Sequence, residues 1–132
     1  MELEYEIIGN DFIRAGYATS EVKKILKQLN IDSSVLRRLA IAMFEAEVNV
    51  VAHAYRGIMK VCINEDFIKV EVEDIGPGIE DIEKAKQEGY STASEKVREM
   101  GFGAGMGLPN MKKNADELII ESKVGEGTKV TI

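Results

Sequence analysis

The sequence predicts an α+β sandwich in which helices cover one face of a mixed, largely antiparallel sheet. Three regions alternate apolar and polar residues as strands do, near the N-terminus, in the middle and at the end of the chain. Two segments with helical apolar spacing lie between the first and second of these regions. Because strands and helices occur in separate runs rather than in strict alternation, we expect the helices to be layered on one face of the sheet.

The predicted elements follow from apolar spacing and from breaks rich in glycine, asparagine, aspartate and serine. Gly16 disfavours the first turns of the first helix, residues 30–34 supply N-cap side chains for the second, and Gly57 is expected to stop it. Residues 64–66 predict a hairpin turn. In order, the expected elements are a strand over 3–8, helices over 12–29 and 35–55, strands over 58–63 and 67–73, a short helix over 82–88, a helix ending near 115, and strands over 118–122 and 128–132.

Length and composition indicate a single domain over residues 1–132. The formal net charge of −6 argues against broad binding to nucleic acid or anionic lipid. No apolar run approaches the roughly 20 residues of a membrane span, and the N-terminus lacks a signal-peptide pattern, so we expect a cytoplasmic protein without membrane association. Cys62 is the only cysteine, which excludes an intrachain disulfide, and we expect it to be an inert buried thiol.

Residues 101–110 read Gly-Phe-Gly-Ala-Gly-Met-Gly-Leu-Pro-Asn, with glycine at every second position up to Gly107. Each ordered glycine costs roughly 0.5–1 kcal/mol in backbone freedom, but it permits positive φ and close backbone approach to a ligand. The residues that follow read as the first turns of a helix. A glycine loop that leads into a helix N-terminus brings free amide N–H groups and the positive end of the helix dipole together, which predicts a phosphate site.

Glu45, Asn49 and His53 are spaced at i, i+4 and i+8 on the long helix, so they form one polar stripe beside an apolar face. The stripe is typical of the solvated edge of an amphipathic helix. Alternatively, Asn49 offers a carbonyl oxygen to a Mg²⁺ ion that keeps most of its waters and bridges phosphates. Glu45 would then orient or deprotonate an attacking hydroxyl. Helical spacing alone does not decide between these interpretations.

Asp74 ends a predicted strand and is followed by a tight loop that contains Gly76 and Gly78. A plain turn explains this composition. A carboxylate at a strand end can also accept a hydrogen bond from the exocyclic amine of adenine, with the glycines letting the backbone lie flat against the base. Gly127-Thr128 is likewise explained by a turn and a strand start, although the Thr128 hydroxyl could help to hold the base if the last hairpin lies beside Asp74.

Together and in this order, Glu-x-x-x-Asn-x-x-x-His, Asp-x-Gly-x-Gly, Gly-x-Gly-x-Gly-x-Gly and Gly-Thr resemble the Bergerat-fold (GHKL) ATPases, the superfamily that includes histidine kinases and DNA gyrase. The resemblance covers about residues 35–132 and implies the Bergerat sandwich, with ATP and Mg²⁺ as cofactors. It implies a catalytic Glu45 and a Mg²⁺-binding Asn49. The nucleotide-binding residues that it implies are Asn49, Asp74, Gly76, Gly78, Gly101, Gly103, Ala104, Gly105, Met106, Gly107, Leu108 and Thr128.

Within the superfamily, the segment from Glu45 to Tyr55 and the run Gly89-Tyr-Ser-Thr92 most resemble the anti-sigma factor and serine/threonine switch-kinase family of bacterial partner-switching systems. This resemblance implies that the protein phosphorylates a serine or threonine of a STAS-type antagonist protein, and that residues 80–107 form a lid over the phosphates. Lys96 or Arg98 would reach the γ-phosphate from the lid, unless both are only solvated. A homodimer is expected from the family alone.

Other functions agree with the same motifs. In one, the protein is an ATP-binding anti-sigma factor that sequesters a sigma factor. In another, it is the catalytic domain of a histidine-kinase-like protein, although such domains usually carry asparagine where Glu45 stands, and we expect no phosphoacceptor helix pair before this domain. A nucleotide-gated structural subunit without transfer chemistry is the remaining alternative.

Overall fold

A computed structural model of the protein describes residues 1–78 and 107–132. A short 3₁₀ helix, Phe12–Arg14, precedes the first α-helix. The main elements are strand β1 (Glu2–Ile8), helix α1 (Tyr17–Gln28), helix α2 (Ser33–His53), strands β2 (Arg56–Ile63) and β3 (Ile68–Ile75), helix α3 (Gly107–Asn114), and strands β4 (Ile119–Lys123) and β5 (Gly127–Thr131). The predicted short helix over 82–88 lies outside the described residues.

The strands form a five-stranded sheet in the order β1-β2-β3-β5-β4. Every strand pair within the described residues is antiparallel, so no parallel pair, which the predicted mixed sheet allowed, occurs in this part of the chain. The β2–β3 hairpin forms where residues 64–66 predicted it, because the Asn64 side chain accepts hydrogen bonds from the Asp66 and Phe67 backbones. The last hairpin places β5 directly beside β3.

Alternating strand residues bury one face of the sheet against the helices. Met59 and Val61 of β2 and Val70 and Val72 of β3 are almost fully buried, and they pack with the apolar face of α2. The opposite face carries charged residues at paired positions, such as Lys60 opposite Glu71. The α+β fold with helices on one face of an antiparallel sheet is therefore confirmed.

Three details of the prediction were wrong. The long helix ends at His53 rather than near Tyr55, because Ala54 is already extended with φ −109° and ψ 170°. Gly57 does not stop that helix but lies within β2, which starts early enough for Arg56 to pair with both neighbouring strands. Cys62 is only partly buried, because it points to the outer face of the sheet.

Glu47 holds the start of α1 against the middle of α2. This side chain is only 2% exposed. Its carboxylate accepts hydrogen bonds from the backbone N–H groups of Gly16, Ala18 and Thr19 at 2.8, 3.3 and 2.9 Å, and from the Thr19 hydroxyl at 2.7 Å. Gly16 itself has φ +91°, a conformation that glycine adopts without steric cost. A side chain from another helix thus caps α1, where the sequence predicted only a glycine that disfavours the first turns.

Replacing Glu47 by alanine is expected to lower the free energy of unfolding by about 2–4 kcal/mol, because buried amide donors at the start of α1 lose their acceptor. Glu47→Gln keeps the volume and one carbonyl acceptor, so it should cost less. Urea denaturation followed by circular dichroism measures both. Glu121→Ala, at an exposed position of β4, is the control, and an equal effect of Glu47→Ala and Glu121→Ala would contradict the capping role.

Candidate functional site

The polar stripe on α2 lies at the boundary between the core and the surface. Glu45, Asn49 and His53 are all partly buried, whereas the adjoining face of the helix is fully packed. Because an α-helix rises about 1.5 Å per residue, the stripe extends about 12 Å from Glu45 to His53. Burial lowers the pKa of His53, which favours a neutral imidazole. The stripe therefore forms one wall of a site with distinct ends.

At the Glu45 end, α3 packs against α2 and supplies a polar contact. The Asn110 side-chain amide donates a hydrogen bond to Oε1 of Glu45 at 3.2 Å. Asn110 belongs to the first turn of α3, in which the backbone N–H groups of Gly107, Leu108 and Asn110 have no acceptor within the helix and Pro109 has no N–H. Leu108 and Met111 of the same helix are buried and anchor it in the core. The positive end of the helix dipole thus lies next to the Glu45 carboxylate.

At the other end, Asp74 lies within β3, one residue before the strand ends at Ile75. The Thr128 backbone N–H donates a hydrogen bond to Asp74 Oδ1 at 3.0 Å. Within the described residues, no donor contacts the second carboxylate oxygen. The Thr128 hydroxyl does not reach Asp74 in this arrangement; it lies 2.9 Å from the Ser122 hydroxyl. The last hairpin therefore fixes one carboxylate oxygen of Asp74 through its backbone.

Partial burial raises the pKa of Asp74 above its usual value. The Thr128 N–H opposes this shift, and the neighbouring Glu73 carboxylate adds to it. A raised pKa means that the fold favours the neutral acid, so the ionised form lowers the stability of the protein at neutral pH. A group held in this way is typical of a functional position.

The glycines around Asp74 are required by close contacts within the protein. A Cβ atom on Gly76 would lie 2.9 Å from the Ala54 Cα at the end of α2. Gly78 has φ +76°, and a Cβ there would meet the Lys123 carbonyl oxygen. Gly127 has φ +151°, and a Cβ there would overlap the Asp74 carbonyl oxygen. These glycines let the end of α2, the end of β3 and the last hairpin converge; their predicted contact with a base stays a prediction.

Several predicted site residues lie outside the described part of the chain. These are Gly101, Gly103, Ala104, Gly105 and Met106 of the glycine loop, together with Lys96 and Arg98 of the predicted lid. Sequence reasoning missed Asn110 and Ser122, which contact Glu45 and Thr128 respectively. The motif Gly-Leu-Pro-Asn contained Asn110, but nothing in its spacing indicated Glu45 as its partner.

The metal prediction rests on Asn49. Its side-chain amide is partly exposed and makes no hydrogen bond to residues 1–78 or 107–132, so its carbonyl oxygen can act as a ligand. No group of three or more histidine, cysteine, aspartate or glutamate side chains within these ranges could hold a metal ion. One protein ligand suits Mg²⁺, which keeps several waters and whose coordination shell is often completed by substrate phosphates.

Among residues 1–78 and 107–132, none of the helices combines the length and the apolar composition that a membrane span needs.

Comparison with known proteins places the chain in a family. A sequence profile of the histidine kinase-like ATPase domain matches residues 12–132. An anti-sigma F factor from Thermoanaerobacter sp. (strain X514) is 38% identical over 119 residues, a match that covers 86% of this chain and 80% of that protein. The serine/threonine-protein kinase RsbT of Bacillus subtilis (strain 168) is 31% identical over 112 residues, covering 82% of this chain and 78% of the kinase.

A solved structure has the same fold. The crystal structure of the RsbU and RsbW domains of Rv1364c from Mycobacterium tuberculosis superposes on this chain with a TM-score of 0.62 at 17% identity. The match covers 98% of this chain but only 31% of the longer one. At this identity the likeness establishes the fold alone.

Because backbone segments meet closely at Asp74, alanine substitutions at two glycines of the last hairpin should differ strongly in their effect on the free energy of unfolding. Gly127→Ala should lower the free energy of unfolding by about 3 kcal/mol or more, because the new methyl group overlaps the Asp74 backbone. Gly125→Ala is the matched control: φ is +82° and no atom lies within 4 Å of the new Cβ, so only about 1–2 kcal/mol of backbone strain is expected. Urea denaturation measures both, and equal losses would refute the steric explanation.

Proposed function

Since the chain belongs to the histidine kinase-like ATPase family, we propose that it is an ATP-dependent serine/threonine protein kinase of a partner-switching regulatory system, with a STAS-type antagonist protein as its substrate. One observation carries the proposal. Asp74 and Glu45 lie at opposite ends of a wall whose middle is Asn49, and the first turn of α3 lies beside Glu45. This arrangement suits a nucleobase at the Asp74 end and a phosphate chain at the Glu45 end.

The Asp74 end suits adenine. The described residues leave one carboxylate oxygen of Asp74 as a hydrogen-bond acceptor while Thr128 holds the other. An exocyclic amine donor is its natural partner, since an ionised carboxylate only accepts. The carbonyl oxygen of guanine at the equivalent ring position would meet this carboxylate without a proton between them. Asp74 would therefore select adenine over guanine nucleotides.

The Glu45 end suits transfer to a hydroxyl group. Bound ATP would supply the phosphoryl group, and Mg²⁺ would neutralise its charge. Asn49 would hold the metal ion, and backbone N–H groups at the start of α3 would bind phosphate oxygens. Glu45, oriented by Asn110, would accept the proton of the substrate serine or threonine. The single domain over 1–132, the lid over 80–107 and a homodimer are further parts of this proposal.

Similarity to an anti-sigma factor favours a second candidate function. A protein named anti-sigma F factor is 38% identical to this chain, so the protein is also a candidate for an ATP-binding anti-sigma factor that sequesters a sigma factor. The carboxylate at position 45, held by Asn110 beside the phosphate end, is the feature that favours a transfer enzyme. A protein that binds nucleotide only to shape a surface for a sigma factor does not need a general base at position 45.

Nucleotide selectivity tests the role of Asp74. Asp74→Asn should weaken ATP binding by about tenfold or more, because a hydrogen bond to a charged acceptor is lost, and should reduce the preference for ATP over GTP. As the pH falls through the raised pKa of Asp74, the wild-type protein should lose the same advantage, beginning above the usual range for aspartate. Calorimetric titration with Mg²⁺ and nucleotide at several pH values measures both effects.

The phosphate groups of ATP also titrate, but they do so equally with both proteins. The ratio of wild-type to Asp74→Asn affinity therefore isolates the carboxylate, and this ratio should approach one at low pH. Wild-type affinity that exceeds the variant's by the same factor at every pH would contradict the assigned role. Unchanged ATP affinity in the variant at neutral pH would overturn the nucleotide site itself.

Replacing Glu45 tests the transfer chemistry. Glu45→Gln should slow phosphorylation of a substrate protein by roughly 10²–10⁴-fold, the usual contribution of a general base, while ATP affinity stays within about twofold. The assay follows label from γ-labelled ATP onto serine or threonine of candidate STAS proteins, with Glu121→Gln as the control. Tight capture of a sigma factor by wild-type protein, with no label on any STAS protein, would instead support the anti-sigma function.

A further inference from the structure

A groove between α1 and α2 opens from the Glu45 end of the site. Its volume is about 560 Å³, and Glu45 is part of its lining. Apolar side chains contribute much of its wall: Leu36 is nearly buried, whereas Ile41 and Phe44 remain 38% and 40% exposed. Apolar side chains that stay exposed along a groove are unusual on a monomer surface unless something covers them.

The groove is also basic. Lys23 and Lys27 from α1 and Arg37 from α2 line it. None of the three forms a salt bridge with a carboxylate in residues 1–78 or 107–132. Glu45 is the acidic residue among its lining side chains, at one end. A local cationic surface on a chain with net charge −6 is a feature that composition would not suggest.

The position of the groove connects it to the reaction. In steps of four residues toward the N-terminus of α2, Asn49 is followed by Glu45, then Ile41 and then Arg37. The groove therefore lies beyond Glu45 in line with the stripe of Glu45, Asn49 and His53, on the side away from Asp74. A protein that brings a hydroxyl to Glu45 can therefore place the residues next to that hydroxyl in or over this groove.

We propose that the groove binds the substrate segment next to the phosphorylated hydroxyl, and that it selects a segment in which apolar residues adjoin aspartate or glutamate. The inference rests on the proposed kinase function and specifies the substrate that the site accepts. Apolar side chains of the segment contact Ile41 and Phe44, and its carboxylates pair with Lys23, Lys27 and Arg37. The groove is preformed, because Glu47 fixes the start of α1 against α2.

The probes are two fluorescent peptides with a central serine between leucines: one carries glutamates at its flanks and the other carries lysines at the same positions. Fluorescence polarisation measures binding, and transfer from labelled ATP to the serine gives KM and kcat. The test variant is Lys23→Glu/Lys27→Glu/Arg37→Glu. The control variant, Lys24→Glu/Lys69→Glu/Lys123→Glu, makes the same charge change at exposed positions outside the groove.

Wild-type protein should bind the acidic peptide about tenfold more tightly than the basic one, because the acidic peptide forms three partly exposed ion pairs in the groove and the basic peptide meets like charges at the same positions. The advantage should decrease with added salt. The groove variant should raise KM for the acidic peptide about tenfold with kcat and ATP affinity within about twofold. The control variant should match wild type. Equal binding of the two peptides, or an unchanged KM in the groove variant, would overturn the inference.

Two further outcomes separate this inference from others. If wild-type protein binds no ATP, the proposed function fails, whatever the peptides do. If ATP binds and a protein substrate is phosphorylated but the groove variant is unaffected, only the groove assignment fails. Sedimentation of both variants tests the remaining occupant: a wild-type dimer that becomes monomeric in the groove variant alone would show that a second copy of the chain, rather than a substrate, covers the groove.

Discussion

The buried carboxylate of Glu47 is the interaction on which the arrangement of the helical layer depends. It accepts hydrogen bonds from Gly16, Ala18 and Thr19 and so joins the start of α1 to the middle of α2. Removing a carboxylate from water is unfavourable unless such donors surround it. Because they do, the position of α1 relative to α2 is fixed, and the groove between the two helices opens next to the candidate site at Glu45.

Helix α2 has a buried apolar face and a partly exposed polar stripe, and the helical repeat places them on different sides of the helix. One face, including Met43 and Ala46, packs against the sheet and is almost inaccessible. The adjoining stripe of Glu45, Asn49 and His53 stays partly exposed, since one helical turn repeats each position on the same side. The rigid core therefore holds the polar stripe in place without covering it. Precise placement of groups at a site requires this kind of support from packed secondary structure.

Asp74 is a carboxyl group whose ionised form is disfavoured in the folded protein. Its partial burial raises its pKa, so the ionised carboxylate is unfavourable in the folded protein at neutral pH. The Thr128 N–H offsets part of this effect. Close contacts at Gly76 and Gly127 bring the end of α2 and the last hairpin around the same residue. Much of the local backbone is thus arranged around one carboxyl group whose ionised form is disfavoured by its surroundings, which is consistent with the binding role proposed for it.

The fold class, the stripe on α2 and the order of the elements in residues 1–78 and 107–132 could be predicted from the sequence, because they depend on local periodicity and on motifs contiguous in the chain. Which distant groups meet could be seen only in the folded protein. Glu47 reads in the sequence as one more polar residue on α2, and only the packing of α1 makes it a cap. Asn110 meets Glu45, and Thr128 meets Asp74, because helix packing and the β3–β5 pairing bring them together. Such contacts follow from long-range packing, which spacing along a chain does not encode.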